Sequence, residues 1–243
     1  MTVNLALAGR LLLATGVAAL GLVMLATGAP IARLTPLPES FAAGAILAWM
    51  GGVALVCGAV GLLVPRIGRL AGLLLTALFL ADVILAQGPH LLAKPSSGGR
   101  WSEAFIALGL GASVLLASAR TRDVASRGAG IAYGLALVVF GLIHWLYRDA
   151  IAGMIPQWIP ARAWWPWLTG AANLAAGLSV ISGVRARLGA LCVGAMFGSW
   201  VLVLHLPAVV AAPGSATEWT ALAIALGLWG GAWLVSGETP DRA

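Results

Sequence analysis

The hydrophobic and polar positions of this chain divide it into eight long apolar runs separated by short polar stretches. The runs cover residues 5–28, 41–64, 70–87, 102–119, 129–147, 164–183, 188–206 and 219–235. Each is close to the roughly 20 apolar residues that an α-helix needs to cross a bilayer. None has the alternation of apolar and polar residues that is typical of a β-barrel strand. The pattern therefore predicts an all-α membrane protein with eight transmembrane helices.

The second half of the chain repeats the first half at an offset of 118 residues. The rarer residue types carry the correspondence, in the pairs Trp49/Trp167, Pro89/Pro207 and Trp101/Trp219, and the run IALGL at 106–110 recurs at 224–228. Each copy holds four predicted helices, an even number, so both copies enter the membrane in the same direction. We predict two tandem four-helix bundles in parallel orientation, residues 1–120 and 121–243.

Composition narrows the class of protein further. Hydrophobic residues make up 61% of the chain and charged residues only 9%, against about a quarter charged in an ordinary soluble domain. So few charges cannot coat a soluble surface, which excludes a soluble globular enzyme and a disordered tail. The net charge is +6, but the basic residues are not interleaved with aromatics, so we predict no nucleic-acid binding. Cys57 and Cys192 lie singly within apolar runs and predict no disulfide or metal site.

The basic residues also indicate an orientation. Nine of the 14 Lys and Arg residues fall on the side of the two termini, and five fall on the other side. The positive-inside rule then places both termini in the cytoplasm. The opposite face has the longer predicted connections, 29–40, 88–101, 148–163 and 207–218, and many of the tryptophans. An aromatic belt at the headgroup level explains most of those indoles.

Polar groups inside a bilayer are costly, so each one is a candidate for a functional role. In the second copy these candidates are His144, Trp145, Arg148, Arg162, Asn173 and His205. The first copy has one acid deep in a run, Asp82. The polar residues are thus shared unevenly between the copies, which predicts a ligand site in the outer half of the second copy.

Two histidines without a third ligand do not predict a metal site. His144 and His205 could instead donate hydrogen bonds to a quinone, with Trp145 as an aromatic wall and Asn173 nearby. Arg148, Arg162 and Asp82 are candidates for substrate binding. Asp82 could relay protons or couple to an ion, or it could simply bond to a neighbouring helix. No P-loop and no GxSxG motif is present, and no catalytic residue can be assigned.

Three stretches of the second copy resemble the DoxX-like family of bacterial membrane proteins. They are FGLIHW at 140–145, IPQWIP at 155–160 and WLTG at 167–170, followed by the basic turn at 185–188. The resemblance covers about residues 129–210. It implies a four-helix unit in the bacterial inner membrane, and for some members an association with redox systems such as thiosulfate–quinone oxidoreduction. A tandem eight-helix form differs from the usual single unit.

The first hypothesis is an accessory or quinone-linked subunit of a membrane redox system. Its site would lie on the periplasmic side of the second copy, and its partners would be the bilayer and a soluble or membrane redox protein. The alternatives are a transporter or channel for a small solute or lipid, and a membrane scaffold without chemistry of its own.

Overall fold

The computed structural model describes residues 4–36, 43–119 and 123–238, and within them every regular element is helical. The long helices are α1 (Leu5–Thr27), α2 (Gly44–Leu63), α3 (Gly68–Ala93), α4 (Gly98–Ser118), α5 (Val124–Leu146), α6 (Trp165–Ser182), α7 (Ala186–Ala211) and α8 (Ala216–Glu238). A short helix, Arg148–Met154, follows α5. Arg120, Arg122 and Arg242, which contribute to the predicted orientation, lie outside the described residues, as do the first two residues of the predicted run 41–64.

Seven of the helices in the described part are long and apolar enough to cross a membrane. The exception is α6, which begins with Trp-Pro-Trp and carries Asn173 at its middle. Large apolar side chains such as Ile84, Leu85 and Leu202 are exposed on the surface, as expected for helices that contact lipid. The chain therefore has the features of a multi-pass membrane protein.

The helices α3 and α7 continue past their predicted ends at residues 87 and 206. Each contains one π-helical turn, Asp82–Gln87 in α3 and Val201–His205 in α7. After each π-helical turn comes a further helical segment with a proline in its first turn, Pro89 in α3 and Pro207 in α7. At that position the missing N–H of proline needs no intrahelical partner. The prediction that residues 88–101 and 207–218 form loops is therefore wrong over most of both ranges. Only residues 94–97 and 212–215 connect the helices there.

Local geometry repeats at the same offset as the sequence. The indole nitrogen of Trp101 donates to the carbonyl oxygen of Pro95 at 2.8 Å, and that of Trp219 donates to Pro213 at 2.9 Å. The two π-helical turns also occupy corresponding positions. The repeated prolines and tryptophans thus build the same turn before α4 and before α8.

The two copies interlock, so they do not pack as two separate four-helix bundles. The main partner of α1 is α8 of the other copy, and α5 packs against α4 as well as α6. The contacts form a ring from α1 through each successive helix to α8, which closes on α1. Inside the ring α4 packs against α8, and these two helices are the most buried of the candidate spans. The ring differs from the predicted tandem bundles.

Glycines explain why α1 pairs with α8. A Cβ atom on Gly16 would lie 2.5 Å from the carbonyl oxygen of Ala223, and one on Gly9 would lie 2.8 Å from that of Gly230. Since only glycine allows backbones to come this close, small residues commonly form helix contacts in membranes. The α5–α6 contact uses the same device at Gly134 and Gly177.

One face of the molecule collects the connections between odd- and even-numbered helices. Tyr147, after α5, donates from its hydroxyl to the carbonyl oxygen of Ser96, before α4, at 2.7 Å. Gln87 near the end of α3 donates to the carbonyl oxygen of Arg33 at 3.2 Å. We call this side, formed by residues 28–36, 94–97, 147–164 and 212–215, the loop face.

Candidate functional site

An apolar groove of about 470 Å³ lies between α6 and α7, next to the 155–164 stretch of the loop face. The wall formed by α6 consists of Trp165, Leu168, Thr169 and Ala172. The wall formed by α7 consists of Met196, Ser199, Trp200 and Val203, and Trp158 and Ile159 close the end at the loop face. We call this cavity the tryptophan groove. Its volume lies within the range of about 300–1,000 Å³ that is typical of small-molecule sites.

The α6 wall is one helical face. Its residues are spaced three, four and seven positions from Trp165, which places them on the same side of the helix. The Trp165 indole nitrogen donates to the carbonyl oxygen of Pro160 at 3.0 Å. The Trp165 ring packs edge to face against Trp200, with ring centroids 5.3 Å apart. This aromatic pair joins α6 to α7 and fixes the shape of the groove.

The groove carries two hydroxyl groups, those of Thr169 and Ser199. Thr169 donates to the carbonyl oxygen of Trp165 at 2.7 Å, and Ser199 donates to that of Met196 at 2.7 Å. Each hydroxyl thus satisfies its proton within its own helix and keeps lone pairs for another donor. Among the described residues no charged side chain lines the groove. It is suited to an uncharged, largely apolar molecule.

A second cavity of about 570 Å³ shares Trp165 and Leu168 with the groove. Pro160, Ala161, Trp164 and Trp167 complete its lining. Arg162 braces the connection beside it by donating to the carbonyl oxygen of Ile155 at 3.1 Å. Of the predicted substrate-binding residues, Arg162 therefore supports the loop that closes the groove and is not part of its lining.

Trp145 and Arg148, two of the predicted site residues, meet at Trp167. The Trp145 indole nitrogen donates to the carbonyl oxygen of Trp167 at 3.1 Å, and the two rings lie 6.1 Å apart. The Arg148 guanidinium lies 5.6 Å from the centroid of the Trp167 ring, in cation–π geometry. Trp145 also packs directly over Gly170. These contacts anchor α5 to α6 beside the second cavity.

His144 and His205 occupy separate surroundings. His144 Nδ1 lies 2.7 Å from the carbonyl oxygen of Phe140, one turn earlier in α5. His205 lies in the π-helical turn of α7, within electrostatic range of Glu218 and Arg33. In the part of the chain that the structure describes, no contact joins the two rings. Their joint role as hydrogen-bond donors to a quinone stays a prediction.

Asn173 lies one helical turn beyond Thr169 of the groove wall. Its side chain is 2% exposed, and its amide nitrogen donates to the carbonyl oxygen of Thr169 at 2.9 Å. Its amide oxygen is buried and accepts no hydrogen bond from the described residues. Asn173 therefore orients the helical turn that carries Thr169, and it does not line the groove itself.

Asp82 belongs to the first copy and is not part of the groove. It begins the π-helical turn of α3, and its Oδ1 accepts a hydrogen bond of 2.8 Å from Thr35 Oγ1. The described residues contain no group of three or more His, Cys, Asp or Glu side chains that could hold a metal ion.

The groove residues themselves are not apparent from the sequence. Trp165 fits an aromatic belt equally well, and Trp200 and Met196 are ordinary members of an apolar run. The spacing of Trp165, Leu168, Thr169 and Ala172 predicts a shared face. In a lipid-facing helix, however, this spacing does not distinguish the wall of a groove from a face that simply contacts lipid.

Comparison with known proteins yields one family match. A family model described as a domain of unknown function (DUF8561) matches residues 133–235, which is less than half of the chain. The matched stretch runs from α5 into α8 and includes the tryptophan groove. No curated protein and no solved structure matches the chain. The resemblance to the DoxX-like family is not tested by this match and stays a prediction.

Proposed function

We propose that this chain is an integral membrane subunit whose tryptophan groove binds a quinone-class isoprenoid lipid. The observation that carries the proposal is the groove wall of Trp165 and Trp200 between two membrane helices. Indole rings offer flat apolar faces on which a planar quinone ring can stack. The open side of the groove leaves room for an isoprenoid tail among the lipid chains.

The polar groups of the groove suit the carbonyl oxygens of such a ring. Thr169 and Ser199 carry hydroxyls that can rotate, and each can donate to a ligand carbonyl instead of to its own helix. Because none of the described lining residues is charged, an anionic or cationic solute would lose its hydration without gaining a partner. This favours an uncharged lipid over a charged solute.

We further propose how the helices are arranged in the membrane. All eight long helices span the bilayer, including α6, whose Asn173 is satisfied in part by Thr169 of the same helix. Both termini lie in the cytoplasm of a bacterial cell and the loop face lies in the periplasm, as the distribution of Lys and Arg predicts. The two copies are parallel four-helix units that interlock through α1 and α8.

The proposed role is that of an accessory subunit in a redox system. A bound quinone carries electrons within the membrane, and the residues of this chain would hold and orient it. The indole faces of Trp158 and Trp164, which are largely exposed at the loop face, offer a surface for a redox partner. The resemblance to the DoxX-like family is consistent with this role and is likewise part of the proposal.

The test is a groove-filling substitution with a matched control from the repeat. Ala172→Phe places a ring in the groove, whereas Ala54→Phe makes the same change at the equivalent position of the first copy, where the residue is exposed on α2. Binding of a short-chain ubiquinone analogue to the purified protein is followed by quenching of tryptophan fluorescence. We expect Ala172→Phe to raise the Kd by about tenfold or more, a loss of about 1.4 kcal/mol, and Ala54→Phe to leave it unchanged. Equal binding by Ala172→Phe and the unmodified protein would refute the proposal.

A further inference from the structure

The π-helical turn of α3 buries two oxygen atoms that have no hydrogen-bond donor in the part of the chain that the structure describes. Gln87 is 0% exposed, and its amide nitrogen donates to the carbonyl oxygens of Arg33 and Leu34. Its amide oxygen is buried without a partner. Asp82 Oδ1 accepts from Thr35 at 2.8 Å, and Asp82 Oδ2 is also buried without a partner.

These two side chains converge on one short segment. Asp82 and Gln87 are five residues apart in a π-helical turn, in which residues i and i+5 follow each other along one side of the helix. Both are anchored to residues 33–35, one through the Thr35 hydroxyl and the other through backbone carbonyls. The free oxygens therefore lie at the same interface between α3 and the connection that follows α1.

These two oxygens lack an electropositive partner at this interface. Both free atoms are acceptors, and one belongs to a carboxyl group, whose charged form is costly to bury without a partner. Another acceptor would not relieve that cost, whereas a proton or a metal cation would. Carboxylate, amide, hydroxyl and backbone oxygens are also the ligands that hard cations prefer.

The cationic side chains nearby act on another acid. His90 of α3, Arg100 of α4 and Arg33 of the connection lie within electrostatic range of Glu103 in α4. Arg100 also donates to the carbonyl oxygen of His90 at 2.6 Å. Among the described residues, Thr35 is the side chain that acts on Asp82. Arg69 lies at the opposite end of α3. Within the described ranges, Asp82 is thus left without a counter-ion.

The second copy does not reproduce this pair of acceptors. At the 118-residue offset, Trp200 stands in place of Asp82 and His205 in place of Gln87. The shared π-helical turn is therefore used for the tryptophan groove in one copy and for buried oxygens in the other.

We propose that Asp82 and Gln87, covered by residues 33–35, form a binding site for a small monovalent cation, Na⁺ or H⁺, in the first copy. With H⁺ the acid form of Asp82 supplies the missing donor. With Na⁺ the two free oxygens and the Thr35 hydroxyl supply ligands. The site is independent of the tryptophan groove, and it can exist whether or not the groove binds a quinone.

The experiment uses the full chain in detergent, with NaCl exchanged for N-methyl-D-glucamine chloride at constant ionic strength and at several pH values. Two quantities are measured, the Tm and the infrared band of protonated carboxyl groups. A saturable rise of Tm with Na⁺ identifies Na⁺ as the cation. A carboxyl band that titrates with pH, without an effect of Na⁺, identifies H⁺. In either case we expect the response to be lost in Asp82→Asn and kept in Asp149→Asn, a control at an acid whose side chain is 92% exposed.

The same responses in Asp82→Asn and in the unmodified protein would overturn the proposal, as would an unmodified protein that responds to neither cation. Thr35→Val and Gln87→Leu serve as second variants if Asp82→Asn does not fold. Each should shift the midpoint of the response by about tenfold or more in cation concentration, since each removes a contact of the site. Unchanged midpoints in both variants would contradict the proposed cation site.

Discussion

Gly9 and Gly230 bring the backbones of α1 and α8 into direct contact. A Cβ atom on Gly9 would lie 2.8 Å from the carbonyl oxygen of Gly230, and one on Gly230 would lie 2.6 Å from that of Gly9. Because α1 is the first helix of one copy and α8 the last helix of the other, this contact closes the ring. The interlocked arrangement therefore depends on two positions that have no side chain.

Gly230→Ala is expected to destabilise the protein even though alanine favours a helix over glycine by about 1 kcal/mol. The added methyl group meets backbone atoms of Gly9 and Leu13, which cannot move without separating the helices. Overpacking of this kind costs about 1–3 kcal/mol. The measurement is the free energy of unfolding in mild detergent.

Gly128→Ala is the matched control for this prediction. A Cβ atom at Gly128 in α5 has nothing within 4 Å, so we expect a neutral or slightly stabilising effect. An equal loss in both variants would show that the contact between α1 and α8 is not the cause.

A disulfide can test the pairing of α1 with α8 directly. The Cβ of Ala6 lies 3.4 Å from the position of a Cβ on Gly237, close to the separation of about 3.5–4.5 Å found in disulfides. In a background with Cys57 and Cys192 replaced by serine, Ala6→Cys with Gly237→Cys should form an intramolecular disulfide under mild oxidation. Gel mobility with and without reductant reports it.

The control for the disulfide places the second cysteine at Ala119, the repeat equivalent of Gly237 at the end of the first copy. Two self-contained bundles would bring the ends of α1 and α4 together, whereas the ring brings α1 to α8. If the Ala6→Cys, Ala119→Cys variant formed a disulfide and the Ala6→Cys, Gly237→Cys variant did not, the ring would be refuted.

Tyr133 ties α5 of the second copy to the backbone of α8. It is 0% exposed, and its hydroxyl donates to the carbonyl oxygen of Leu228 at 2.6 Å. Tyr133→Phe should cost about 1 kcal/mol of unfolding free energy, the usual net value of a hydrogen bond. Tyr147→Phe removes a similar bond to Ser96 at a site that water reaches, so its cost should be smaller. A larger loss of unfolding free energy in Tyr147→Phe than in Tyr133→Phe would contradict the stabilising role of the buried Tyr133 hydrogen bond.

The helices could be predicted from the sequence because their cause is local. An apolar run of about 20 residues has few other structures open to it in a membrane. The ends of α3 and α7 could not be predicted in the same way. Pro89 and Pro207 normally indicate the end of a helix, but here each follows a π-helical turn and begins a further helical segment.

The packing and the sites depend on contacts that are remote in sequence. The repeat revealed four-helix units, yet Gly9 and Gly230 are separated by nearly the whole chain, and nothing local pairs them. His144 and His205 attract attention because they are rare polar residues, although the structure gives them separate surroundings. Gln87 is an ordinary residue at a predicted helix end, and its burial against Arg33 and Leu34 becomes apparent only in the fold.

Photolabelling can show directly whether the tryptophan groove holds a quinone-class lipid. A photoreactive azidoquinone is bound to the purified protein and irradiated, and the labelled residues are identified by mass spectrometry. We expect the labels to concentrate on residues 165–172 and 196–203 and to be displaced by excess unlabelled quinone. Labels spread evenly over the lipid-facing helices, or labels that excess quinone does not displace, would contradict the proposal.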